Sequence, residues 1–170
     1  MHMEATRRMA ILVLLGVLPL LAGMLWGVHI SIFIIYNLLL AAAFLLDKTL
    51  SPEKADFQVE RFHERNLEMG RENQVSLQVS NRSRYPVSLE IVDTLPEGAL
   101  QNPYSPGLFV NCAPGGVAKV SYSLVPEKRG SYSFGSVHLN CRGVLGLVSR
   151  RFSYPLQEEI AVYPNLQPLK

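Results

Sequence analysis

Few residues in this sequence stand at a spacing that chemistry needs. Beyond the first fifty positions there are two histidines, His63 and His138, and two cysteines, Cys112 and Cys141. Zinc sites gather their ligands through short spacings such as Cys-x-x-Cys, and neither cysteine has such a neighbour. His138 and Cys141 lie three apart, which on a strand points them to opposite faces. Both cysteines therefore read as small buried hydrophobes. Gly143-Val144-Leu145-Gly146-Leu147 has two glycines but lacks the third glycine and following helix of a phosphate-binding loop, so it reads as a β-turn or bulge. Glu158-Glu159 reads as solvated surface, because adjacent strand residues face opposite ways. No nucleophile elbow, Walker loop or dinucleotide fingerprint occurs. These residues predict no catalytic, cofactor-binding or metal-binding set. The net charge of +2 and the lack of a dense Lys/Arg face give no basis for nucleic-acid binding.

The elements around these residues fall into two halves. From Ala10 to Leu46 there is no Asp, Glu, Lys or Arg. One helix of that length would run roughly 55 Å, whereas a bilayer core of about 30 Å takes about 20 residues. The run predicts two spans, about Met9 to Trp26 and about Ile30 to Leu46, with Trp26 and His29 as interface anchors. Within them, Gly23 and Gly27 allow close helix approach, Pro19 kinks the first span, and Asn37 places an amide at membrane depth. A cleaved signal is the rival reading, since Arg7-Arg8 opens the run and Leu21-Ala22-Gly23 resembles a lipoprotein box. Met24 stands where the lipidated cysteine would be, and the apolar run continues for a second span. Arg7 and Arg8 before the run, and Lys48, Lys54, Arg61 and Arg65 after it, put both ends in the cytoplasm by the positive-inside rule. In that compartment Cys112 and Cys141 are expected as free thiols.

Past Ser51-Pro52 the hydrophobic period becomes two. Candidate strands are Phe57–Phe62, Gln74–Ser80, Val87–Asp93, Leu108–Cys112, Val117–Val125, Ser136–Cys141, Leu147–Tyr154 and Ile160–Tyr163. Turn residues separate them at Met69-Gly70, Asn81-Arg82-Ser83, Pro96-Glu97-Gly98, Pro114-Gly115-Gly116 and Arg129-Gly130. Asn81-Arg82-Ser83 also matches an N-glycosylation pattern and is read as a turn. The expected fold is a membrane α-hairpin followed by an antiparallel, immunoglobulin-like β-sandwich. The expected division is a cytoplasmic N-terminus (1–8), a two-span hairpin (9–47), a linker (48–55), the sandwich (56–165) and a tail (166–170).

One block is more distinctive. Pro126-Glu127-Lys128-Arg129-Gly130-Ser131-Tyr132-Ser133-Phe134-Gly135 is followed by Gly143–Leu147, then by Val162-Tyr163-Pro164. With the paired spans, this resembles the bacterial domain-of-unknown-function 58 family. Pro126, Arg129, Gly130 and Tyr132 match its P-x-x-R-G-x-Y motif. Gly146 and Leu147 match the end of its D-P-F-G-L stretch, whose Asp-Pro is replaced by Gly143-Val144. Tyr163-Pro164 matches its Y-P motif. The von Willebrand A-like domain that follows in the family, with its D-x-S-x-S metal string, has no counterpart in these residues. The resemblance implies an anchor, a sandwich and a MoxR-type AAA+ ATPase as partner. Gly130 is expected to supply a turn, Tyr132 to bury its ring and bond through its hydroxyl, and Arg129 to pair with a carboxylate or backbone carbonyls. Gly135 belongs to the same block.

The function expected is that of a membrane-anchored protein-interaction or assembly module of the bacterial inner membrane. The alternatives are an extracytoplasmic ligand-binding sandwich and, further off, part of a metal-dependent enzyme.

Overall fold

The computed structural model describes residues 2–19, 30–64, 66–96, 99–102 and 107–164. Two helices, α1 (Arg7–Leu15) and α2 (Ile30–Leu50), follow a short strand, β1 (His2–Ala5). Eleven more strands follow: β2 (Phe57–His63), β3 (Asn66–Glu68), β4 (Asn73–Asn81), β5 (Val87–Asp93), β6 (Ala99–Asn102), β7 (Leu108–Cys112), β8 (Val117–Pro126), β9 (Gly130–Phe134), β10 (Val137–Arg142), β11 (Val148–Tyr154) and β12 (Glu158–Tyr163). Two compact units divide the chain: Met1–Pro52 with Cys141–Arg151, and Glu53–Asn140 with Phe152–Lys170. Strands β10 and β11 supply residues to both.

In the first unit, Thr6 caps α1 by accepting a hydrogen bond from the Met9 amide. The helix ends at Leu15, with Gly16 as its cap. Helical backbone resumes at Leu18 and Pro19, so Pro19 stands in the first turn of a new helical stretch, where its missing amide costs no bond. The helix is interrupted at Gly16-Val17, just ahead of Pro19. Of the expected first span, the described residues show α1, the turn at Gly16-Val17 and helical Leu18-Pro19; its remainder lies outside the described residues. The sites expected at Gly23, Gly27, Trp26 and His29 lie outside the described residues. Helix α2 matches the second expected span and runs on to Leu50, into the stretch expected as linker. It has 21 residues with a mean hydropathy of 2.2, and it is the one helix among the described residues long and apolar enough to cross a membrane. Its apolar side chains are bare, with Ile30, Leu38 and Leu39 all more than 60% exposed. The two helices meet where the Tyr36 ring packs against Gly16 and its hydroxyl donates to the Leu12 carbonyl at 2.7 Å. Asn37 donates its amide to the Phe33 carbonyl at 2.8 Å, so the polar group is satisfied within its own helix.

The sheets follow the period-two pattern. The inward residues of β4, Val75, Leu77 and Val79, are fully buried, as are Leu124, Val137 and Leu139. Each buried aliphatic side chain contributes about 1.5–3 kcal/mol. The expected strand-rich domain is built from three sheets, in the orders β1-β11-β10-β5-β7, β2-β4-β8-β6 and β3-β12-β9. One pair, β12 with β3, is parallel. The two strands are far apart in the chain, so no tight hairpin dictates their direction. Four strands were not among those expected: β1, β3, β6 and β9. β1, β3 and β6 have three or four residues each, and β9 opens directly on the turn signal Arg129-Gly130.

Candidate functional site

The most elaborate polar arrangement in the first unit joins the last turns of α2 to the β10–β11 loop. Asp47 is completely buried. Its Oδ1 accepts from the Leu145 amide at 2.7 Å, and its Oδ2 accepts from the amides of Leu147 and Val148 at 2.8 and 2.9 Å. A carboxylate at a helix C-terminus opposes the helix dipole, and three charge-assisted bonds compensate here. Gly146 has φ +71°, a conformation that lets the loop turn its amides onto one point. A Cβ on Gly143 would stand 2.6 Å from both Asp47 oxygens. Any side chain at position 143 would therefore collide with the Asp47 carboxylate.

Arg150 completes the arrangement. Its guanidinium donates to the Lys48 and Pro52 carbonyls at 2.7 and 3.3 Å, capping the C-terminal end of α2 with positive charge. Thr6 ties the same loop to the start of α1, its hydroxyl donating to the Gly146 carbonyl at 2.6 Å and its amide donating to the Leu147 carbonyl at 3.0 Å. Strand β1 pairs antiparallel with β11, His2 opposite Arg151 and Ala5 opposite Val148. Beside this site, burial pushes the Cys141 thiol up to about 12, with the Arg150 charge acting in the opposite sense.

The second unit holds a buried ionic network. The side chains of Arg61 and Asp93 are 2% and 3% exposed. Arg61 binds both Asp93 oxygens, and it also donates to the Leu156 and Gly135 carbonyls at 2.6 and 3.1 Å. Tyr122 donates its hydroxyl to Asp93 at 2.7 Å. The guanidinium lies 4.4 Å from the Phe134 ring centre, and His63 packs on the same ring and meets Glu158 at 3.1 Å. Burial, and then the neighbouring Asp93, push the Tyr122 hydroxyl far above its usual range. Both oxygens of Asp93 are engaged, so the Arg61–Asp93–Tyr122 group braces the fold. Arg61, counted in sequence among the flanking cations, is committed to this pair. Among the described residues, no three His, Cys, Asp or Glu side chains converge.

The remaining expected residues are dispersed. Tyr132 is buried, with its hydroxyl donating to the Lys128 carbonyl at 2.8 Å and accepting from the Lys128 amide at 3.2 Å, which closes the β8–β9 corner. Pro126 is buried at the end of β8, and Gly130 opens β9. Arg129, expected to pair, is exposed and has no partner among the described residues, because the corner is closed by Tyr132 and the backbone instead. Gly135 lies against Thr94, where a Cβ would stand 2.6 Å from its methyl. Tyr163 and Pro164 are exposed at the end of β12. Asn81, read as a turn residue, is 1% exposed and donates to the carbonyls of Tyr85, Cys112 and Ala113. Such an amide has no room for a glycan. Cys112 and Cys141 are free and buried, and His138 and Cys141 face opposite sides of β10.

No family model matches this sequence, and no curated protein matches it. Solved structures with similar folds include a PapD-like domain of human CEP192, at 14% identity and a TM-score of 0.43, over 67% of this chain and 89% of that one. The CARDB domain of PF1109 from Pyrococcus furiosus, solved with di-metal ions, is similar at 12% identity and a TM-score of 0.40, over 64% and 88%. Escherichia coli alpha-2-macroglobulin is similar at 18% identity and a TM-score of 0.48, over 67% of this chain and 17% of that one.

Proposed function

We propose that this chain is a membrane-anchored, non-catalytic β module that holds a protein partner at the bilayer surface. The observation that carries the reading is α2: a 21-residue helix with bare apolar sides, whose last turns are bonded to the β10–β11 loop through Asp47 and Arg150. An apolar surface of that extent calls for lipid or a partner, and the helix is about 31 Å long, close to a bilayer core. The loop that binds the end of α2 also binds Thr6 at the start of α1. Both ends of the apolar run thus return to one level, which favours a two-span hairpin over a single crossing. The Lys/Arg flanks favour the bacterial inner membrane with both termini and the β domain in the cytoplasm. Exposed sheet edges suit strand addition by a partner, and the family resemblance makes a MoxR-type AAA+ ATPase that partner.

A reporter fused after Lys170 should be active only when it folds in the cytoplasm; periplasmic activity would overturn the orientation and favour an extracytoplasmic binding domain. Copurification from membranes should recover the ATPase with the full chain. Retention of all partners after deletion of residues 55–170 would overturn the assembly role.

A further inference from the structure

The β10–β11 loop carries two exposed apolar side chains at its tip, Val144 and Leu145, 45% and 47% exposed. Their place is fixed by the bonds already described: Asp47, in the last turns of α2, holds the Leu145 amide, and Thr6, the cap of α1, holds the Gly146 carbonyl. The Arg8 side chain lies along Gly146, its guanidinium 3.2 Å from where a Cβ would be. The loop is thus tied at the level where both helices leave the apolar run. Exposed cations stand on the same unit: Arg7, Arg8, Lys48 and Arg142. Apolar tips beside a basic collar fit a bilayer interface, where the tips enter the acyl boundary and the cations meet anionic headgroups.

We infer that the β10–β11 loop is a lipid-contacting element that inserts Val144 and Leu145 into an anionic bilayer surface, with Arg7, Arg8, Lys48 and Arg142 binding its headgroups. The occupant follows from charge complementarity and from continuity with α2. The inference rests on the reading of α2 as a membrane span. Asp47 then has a double role, since the carboxylate that ends the span also sets the loop's depth.

The full chain carrying Leu145→Cys, labelled with an environment-sensitive fluorophore, is reconstituted into phosphatidylcholine–phosphatidylglycerol vesicles with shallow nitroxide lipids. The same measurement on Leu38→Cys, in the middle of α2, tests the span itself. Buried Cys112 and Cys141 leave the new thiol as the reactive one, and unlabelled wild-type chain sets the background. We expect blue-shifted emission at 145 and at least two-fold quenching by shallow nitroxide, with quenching greater in phosphatidylglycerol-rich vesicles and the increase lost in an Arg7→Gln, Arg142→Gln variant. Lipid contact at 38 with water-like emission at 145 overturns the loop inference and leaves the span standing. Water-like emission at both positions overturns the span as well. Blue-shifted emission at 145 without nitroxide quenching means that protein covers the loop, and it overturns lipid contact. Quenching indifferent to phosphatidylglycerol overturns the headgroup role of the cations.

Discussion

At the scale of single residues, the informative side chains are charges in places that disfavour charge. Asp47 closes an apolar run at a helix C-terminus, and its carboxylate is stable there because three backbone amides face it. Asp47→Ala strands those amides and should cost on the order of 3 kcal/mol or more. Asp47→Asn keeps one acceptor and should cost less, and thermal unfolding in detergent micelles would show the order. In the second unit, Asp93→Ala leaves Arg61 buried without its counter-charge and should cost about 3–5 kcal/mol. Tyr122→Phe should cost only about 1 kcal/mol. An Arg61→Met, Asp93→Leu pair should recover much of the loss in urea unfolding, because neither charge is left alone. Tyr122 and Cys141 both have raised pKa values through burial. The unfolded chain gives up these protons at lower pH than the folded one, so their contribution is full below about pH 9 and falls as pH climbs toward 12. Urea midpoints measured from pH 8 to pH 11 should decline, and Cys141→Ala should flatten the decline.

Among the elements, strand faces were legible because side chains alternate with period two. The same rule holds the signal for the ionic network. Phe57, Val59, Arg61 and His63 share one face of β2, and Val87, Leu89, Ile91 and Asp93 share one face of β5. Opposite charges closing two inward faces imply a buried pair, and Arg150 between Val148 and Phe152 on β11 gives the same kind of sign. Strand β9 alternates through Tyr132 and Phe134, but it opens directly on the turn signal Arg129-Gly130, which masks the strand in the sequence. The loop Gly143–Leu147 was legible as a turn and illegible as a receptor for Asp47, since backbone amides have no side-chain signature. Two substitutions test these elements. Leu77→Ala should cost about 2–5 kcal/mol by opening a cavity in fully buried β4. Gly143→Ala forces a Cβ against the Asp47 carboxylate and should cost about 1–3 kcal/mol, read as a lower unfolding midpoint that Leu145→Ala does not share.

For the whole molecule, the pairing of β1 with β11 has a topological consequence. The residues before α1 and those of the β10–β11 hairpin occupy the same side of any bilayer that α2 crosses. In sealed inverted vesicles, epitopes placed before His2 and after Lys170 should be digested together by external protease; protection of one alone would contradict the pairing. The sequence by itself determined an uncharged run long enough for a membrane, the switch from that run to strands, and most strand boundaries. These are local properties, set by hydrophobic content and by the fixed 3.6- and 2-residue periods of the backbone. Only the tertiary structure decided that the sheets number three, that β12 lies parallel to β3, and that the aspartate ending the apolar run is received by a loop about a hundred residues later. Such meetings depend on how the chain closes over long separations, and no periodicity within a segment records which distant segment will face it.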